Sequence, residues 1–129
     1  MKVRRSVFGL VLVVLVAFAI PAHAATANFE GNCVTNTSTN NVDCQFDAQR
    51  GGGSTCPGSS ILAYSYSYGD NSGGLAGNPA SHTYTTPLAG AYQVDLLVYC
   101  WDGNQASKTR WVCIAYSFPG CINNNSGWN

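Results

Sequence analysis

Charged residues are scarce here. The 129 residues carry six basic and six acidic side chains, 9% in all, and a formal net charge of zero. Three of the basic residues, Lys2, Arg4 and Arg5, stand together ahead of an apolar run from Val7 to Ile20 and the small-residue stretch Pro21-Ala22-His23-Ala24. This is the order of a secretory signal peptide, and the run is shorter than the ~18 apolar residues that span a bilayer. Residues 1–24 are therefore expected to be removed, leaving no membrane anchor and a product in the periplasm or outside the cell. The mature chain would keep Arg50, Lys108 and Arg110 against Glu30, Asp43, Asp47, Asp70, Asp95 and Asp102. With no basic patch, it has no electrostatic means of holding nucleic acid.

Histidine is nearly absent as well, since only His82 follows Ala24. There is no G-x-S-x-G elbow for a serine nucleophile, no C-x-x-C spacing for zinc and no EF-hand spacing for calcium. Paired carboxylates could hydrolyse a glycoside, but Asp95 should lie on an outer strand face and Asp43, Asp47, Asp70 and Asp102 at strand ends or loops, with no spacing that brings two together. No enzyme activity, metal or cofactor is expected. Cysteine, by contrast, is present in quantity. Cys33, Cys44, Cys56, Cys100, Cys113 and Cys121 all lie beyond the cleavage site, an even number on an exported chain, which implies three disulfides and leaves no free thiol.

The chain also lacks an amphipathic period of 3.6 outside the signal segment. What it has is period two: Val42–Phe46, Ile61–Tyr68, Tyr92–Cys100 and Thr109–Tyr116 are short runs rich in Val, Ile, Tyr and Trp. Breakers at Gly51-Gly52-Gly53, Gly73-Gly74, Asn78-Pro79, Thr86-Pro87 and Pro119-Gly120 mark loops, and Asp102-Gly103-Asn104 reads as a hairpin turn. An all-β sandwich over residues 25–118 follows, with 119–129 as an Asn-rich C-terminal tail.

Four ordered motifs carry a family resemblance: Phe46-Asp47-Ala48, Ile61-Leu62-Ala63-Tyr64-Ser65-Tyr66-Ser67-Tyr68-Gly69-Asp70, His82-Thr83-Tyr84 and Gly90-Ala91-Tyr92-Gln93-Val94-Asp95-Leu96-Leu97-Val98. Together, over about residues 27–116, they resemble the polycystic-kidney-disease (PKD) domain family. The resemblance implies an immunoglobulin-like β-sandwich of about seven strands, extracellular and non-catalytic. The chain departs from the family pattern at Tyr66, where Trp is usual, at Asn71, in place of a second turn glycine, and in two extra residues between Tyr84 and Gly90.

Tyr64, Tyr66 and Tyr68 share one strand face, which the family turns inward, and core packing is the common place for aromatics in sandwiches; an outward row that stacks on sugars is the alternative. Asp70 is expected to bond within its own turn, with a cation as the alternative, and Tyr92 resembles the tyrosine corner of immunoglobulin-like folds. His82 reads as a satisfied strand or loop residue rather than a base.

The sandwich also orders the cysteines. Cys33 and Cys44 flank a turn-rich stretch between the first two strands. Cys100 has the inward parity of Val94, Leu96 and Val98 and meets Cys56 at one pole. Cys113, between inward Val112 and Ile114, points outward and is left with Cys121. These loops are worth roughly 3, 4 and 2.5 kcal/mol as upper bounds.

If Cys100 points in, Leu97, Tyr99 and Trp101 point out, and Trp111 shares their face on the next strand. Either the tail covers these rings with Phe118, Ile122 or Trp128, or Tyr99, Trp101 and Trp111 are left open as ligand anchors. The first option suits a free-standing structural or adhesive protein, the second a secreted module that binds extracellular polysaccharide or another secreted or surface protein. Asn36-Thr37-Ser38 and Asn124-Asn125-Ser126 match the glycosylation acceptor pattern, which chance also produces in such loops.

Overall fold

A computed structural model describes residues 24–85, 87 and 89–129. The segment read as a signal peptide, Ala24 aside, lies outside the described residues, and no described helix is long and apolar enough to cross a membrane. Eight strands follow one another: β1 Glu30–Asn36, β2 Asn41–Asp47, β3 Ile61–Ser67, β4 Gly73–Ala76, β5 Ala80–Tyr84, β6 Gly90–Cys100, β7 Gln105–Ile114 and β8 Ile122–Asn123. They form a three-stranded sheet, β1-β2-β5, facing a five-stranded sheet, β4-β3-β6-β7-β8.

Alternation along the strands builds the core. Val42, Cys44 and Phe46 on β2, Tyr66 on β3 and Val94, Leu96, Val98 and Cys100 on β6 are buried and their neighbours within the strands are more exposed, while on β7 Val112, Cys113 and Ile114 are buried in succession. The tyrosines of β3 take the inward option. Tyr66 meets the Phe29 ring edge-on at 5.7 Å and stacks with Tyr68 at 5.9 Å, while Tyr68 stacks on Phe46 at 5.6 Å. Tyr64, nearer the rim, keeps its hydroxyl accessible and accepts a bond from Gln49 Nε2 at 2.6 Å. Tyr92 lies against Tyr84, with ring centroids 4.5 Å apart. The upstream residues that a tyrosine corner draws on include Thr86 and Leu88, outside the described residues.

Two segments differ from the sequence reading. Gly73-Gly74, read as a loop, opens the edge strand β4. A Cβ on Gly73 would lie 2.2 Å from the Tyr66 carbonyl oxygen, so glycine is what lets this strand approach β3. The larger difference is in residues 119–129, which form part of the sandwich. Ile122 and Asn123 pair in parallel with Val112 and Cys113, and Ile122 is wholly buried. From there the chain crosses to the other sheet. The Asn125 amide donates to the Cys33 carbonyl at 2.7 Å, the Thr35 amide to Asn125 Oδ1 at 2.8 Å, and Gly31 and Asn129 exchange backbone bonds of 2.9 and 3.0 Å. The segment thus closes the β7 edge and the β1 edge together, removing two unpaired strand edges from solvent.

Arg110 secures this closure. It projects to the inner side of β7, where Nη1 donates to the Phe29 carbonyl at 3.0 Å and the Asn129 carbonyl at 2.6 Å, and Nη2 to the Gly120 carbonyl at 3.3 Å. Burial lowers its pKa, with the Glu30 charge acting in the opposite direction. The Asn129 carbonyl thus accepts from both Gly31 and Arg110, using both of its lone pairs.

Candidate functional site

The pole at the β6–β7 turn is braced by three links. Cys56 is bonded to Cys100, the Trp101 amide donates to the Ser60 carbonyl at 3.0 Å, and the Asp102 amide to Ser59 Oγ at 3.2 Å. Within the turn, Asp102 accepts from the Asn104 amide and from Asn104 Nδ2, both at 3.0 Å, and the Gly103 amide donates to the Cys100 carbonyl. Gly103 has φ +86°, the left-handed conformation that lets so short a connection turn. Trp101 stands on this fixed frame with 68% of its surface exposed.

Cross-strand pairing places the other candidates on the outer face of the five-stranded sheet. Tyr99, half-buried, lies between Ala63 on β3 and Gln105 on β7. In the neighbouring row Leu97 lies between Ser65 and Ser107, and Leu75 of β4 continues it beyond Ser65. Leu75, 76% exposed, is a member of this face that the sequence reading missed, because its only signal was a single leucine between glycines and a loop.

Trp111 belongs to a different neighbourhood. It pairs with Gln93, six residues along β6 from Tyr99, which is about 20 Å at ~3.4 Å per residue. The expected side-by-side grouping of Trp111 with Trp101 and Tyr99 is therefore corrected: alternation put them on one face, but register put them at opposite ends. Trp111 instead meets Phe118 edge-on at 6.3 Å, and Phe118 meets Tyr116 at 5.8 Å. Trp111 and Tyr116 keep 38% and 57% exposure.

The pairing Cys113–Cys121 holds the loop that carries Phe118, just as Cys33–Cys44 and Cys56–Cys100 are formed as expected. Cys113 has outward parity but is fully buried, because this loop covers it. Of the three tail residues expected over the rings, only Phe118 goes there. Ile122 turns into the core, and Trp128 lies beneath the Arg50 guanidinium, 4.4 Å from its ring centre. Trp101 is left without a cover.

The acids are distributed among local partners. Asp43 accepts from Thr83 Oγ1, Asp47 from the Gln49 amide and Asn78 Nδ2, Asp95 from Gln93 and Thr109, and Glu30 pairs with Arg50. Asp70 bonds within its turn to the amide and hydroxyl of Ser72 and also reaches His82 Nε2 at 2.7 Å. His82 is on β5, so this contact ties the two sheets, and the imidazole stacks on Tyr68 at 4.1 Å. Burial pushes the Asp70 carboxyl up, but the bonds from Ser72 and His82 and the His82 charge outweigh it and hold the carboxyl below its ordinary range. Burial raises Tyr66, Tyr68 and Tyr84, with neighbouring acidic or phenolic groups adding to it, so these phenols stay protonated. Among the described residues no three His, Cys, Asp or Glu side chains gather to hold a metal ion.

A search of curated proteins gives no match. Among solved structures, the chain is similar to the PKD1 domain of the Vibrio cholerae metalloprotease PrtV, 20% identical with a TM-score of 0.48, covering 70% of this chain and 95% of that one. It is also similar to the PKD1 domain of Vibrio anguillarum Epp, 20% identical with a TM-score of 0.49, covering 71% and 94%. A third similar structure is described as the basis for promiscuous specificity of carbohydrate-binding modules from the β-sandwich superfamily. It is 27% identical with a TM-score of 0.53; 71% of this chain is covered, but only 34% of that one, so this chain spans about a third of its length. The PKD domain family matches residues 32–114, the stretch from β1 to the end of β7 that holds all four sequence motifs, and the chain accordingly belongs to the PKD domain family.

Proposed function

We propose that this chain is a secreted, non-catalytic binding module for extracellular polysaccharide, and that the Trp101 pole is where it first engages its ligand. The observation that carries this reading is the exposure of Trp101 on a disulfide-braced turn. Leaving an indole in water forgoes the roughly 1.5–3 kcal/mol that burial of a large apolar side chain supplies, and a rigid frame spares a ligand the entropic cost of ordering it. The same pole carries the polar side chains of Ser59, Asn104 and Gln105, the chemistry that sugar hydroxyls require once the flat C–H face of a ring has stacked on an aromatic. The β-sandwich carbohydrate-binding structure, at 27% identity, supports the same class of ligand.

The packing of Phe118 on Trp111 favours a second reading, a structural or adhesive protein whose rings are sealed by its own C-terminal segment. The two readings part at Trp101. Incubation with insoluble cellulose, chitin and xylan should deplete the wild-type protein from solution, and Trp101→Ala should lose most of that binding while melting at the wild-type temperature. Undiminished retention of Trp101→Ala on every polymer that retains the wild type would overturn the reading.

A further inference from the structure

Resting on the reading above, we propose that the outer face of β3, β6 and β7 holds a single extended strand of a neutral, β-linked polysaccharide. The strand would run from Tyr99 and Trp101 at one end to Trp111, Phe118 and Tyr116 at the other. The register supplies the length. Tyr99 and Trp111 lie six residues apart along β6, about 20 Å, with Trp101 beyond. A pyranose ring with its linking oxygen advances a chain by about 5 Å, because the five single bonds of ~1.5 Å along each repeat are folded by the chair. Around four rings are therefore needed before one molecule touches both aromatic ends.

The strip between the ends identifies the class of partner. Between the ends it holds Asp95, Ser107 and Thr109, with Gln93 at the Trp111 end and Leu97 and Leu75 to one side, so no aromatic ring occupies the centre. A protein interface is built the other way, with a desolvated aromatic centre and a polar rim. A row of amides and hydroxyls flanked by stacking rings suits a polymer that offers hydroxyls along its length. The strip is also sparsely charged. Asp95 is its one charged group, and its carboxylate already accepts from Gln93 Nε2 and Thr109 Oγ1. Lys108 pairs with inward Leu96, and Arg110 is spent on the Phe29, Gly120 and Asn129 carbonyls. An acidic polymer finds no counter-charge here and meets Asp95, while a basic one finds a single carboxylate already bonded to neutral donors. The rigidity of the Cys113–Cys121 loop keeps Phe118 and Tyr116 beside Trp111 rather than dispersed.

The test is a calorimetric titration of the full mature protein with cello-, xylo- and N-acetylchito-oligosaccharides of graded length, from dimers to hexamers. Affinity for the accepted series should stay low through the trimer and rise about tenfold or more by the hexamer, as the second station becomes reachable within one ligand. Trp111→Ala should return the hexamer to trimer affinity and leave the trimer unchanged, whereas Trp101→Ala should weaken both. Because Trp111 supports Phe118, Tyr116→Ala provides a second variant that leaves the strand intact, and it should cost the hexamer part of the same gain. Affinity that does not change with length, or a hexamer indifferent to both Trp111→Ala and Tyr116→Ala, would overturn this inference alone. Failure of every oligosaccharide and every insoluble polysaccharide to bind would overturn it together with the function it rests on.

Discussion

Ile122 offers the sharpest check on the claim that the last residues belong to the core. Its side chain is fully buried between the sheets, against the Phe46 ring and opposite Gly31. Truncation to alanine removes the transfer free energy of the lost methyl groups and leaves a hole, and such changes cost about 2–5 kcal/mol. The site favours the middle of that range, about 3–4 kcal/mol, since Gly31 has no side chain to move into the space. For a domain of this size that is roughly 12–30 °C in melting temperature.

Gly31 makes the argument a cycle. A Cβ there would come within 2.8 Å of Ile122 Cδ1 and 3.1 Å of Phe46 Cδ1, so Gly31→Ala alone should overpack the site by about 1–3 kcal/mol. In Ile122→Ala the same methyl finds room. The double variant should therefore be less damaged than the sum of the single ones by at least about 1 kcal/mol, measured by urea unfolding followed by circular dichroism. Leu75→Ala, on an exposed edge strand, is the control and should stay within about 0.5 kcal/mol of wild type. A cost below about 1 kcal/mol for Ile122→Ala, or strict additivity of the pair, would mean that this segment is not packed as described.

Three other outcomes are expected. Tyr66 buries a hydroxyl without a hydrogen-bond partner, whereas the Tyr84 hydroxyl donates to the Tyr68 carbonyl at 2.8 Å. Chemical denaturation should therefore find Tyr66→Phe neutral or more stable by up to about 1 kcal/mol and Tyr84→Phe less stable by about 1–3 kcal/mol; the reverse order would contradict both assignments. Because the Asp70 carboxyl is held below its ordinary range, its contribution is present in full above about pH 4 and is lost as the pH falls through the lowered native value. Melting curves of Asp70→Asn should accordingly show a shallower acid limb than wild type, and parallel curves would refute the tie to His82. Removing the Cys56–Cys100 link, whose separation of 44 residues far exceeds the 11 and 8 of the others, should cost most, up to about 4 kcal/mol. A melt indifferent to reductant would refute the reliance on cross-links.

The legible parts of this protein are those governed by local pattern. Alternation put Leu96 and Val98 on one face of β6 and the tyrosines of β3 on one face of that strand, the family resemblance turned those tyrosines inward, and the sandwich it implies favoured the observed cysteine pairs. Exposure of Trp101 was legible only as one of two options, because what covers a ring depends on chain arriving from elsewhere. The inner-face role of Arg110 had no signal beyond its position, since an isolated cation on a strand reads as solvent-facing until the carbonyls it satisfies are in place.

The amino-acid order by itself determined that the chain is built of short alternating strands with three disulfides and that Tyr64, Tyr66 and Tyr68 share one face, because side-chain alternation and turn residues are properties of neighbours in the chain. Tertiary structure alone decided that the Asn-rich end is a strand bridging both sheets, since it has no hydrophobic period of its own and is specified by the Gly31 hollow, the exposed edges of β1 and β7 and the Arg110 guanidinium. It also decided that Trp111 stands about 20 Å from Tyr99 rather than beside it, because strand register is set by pairing between distant segments, and a face can be read from parity while a position along it cannot.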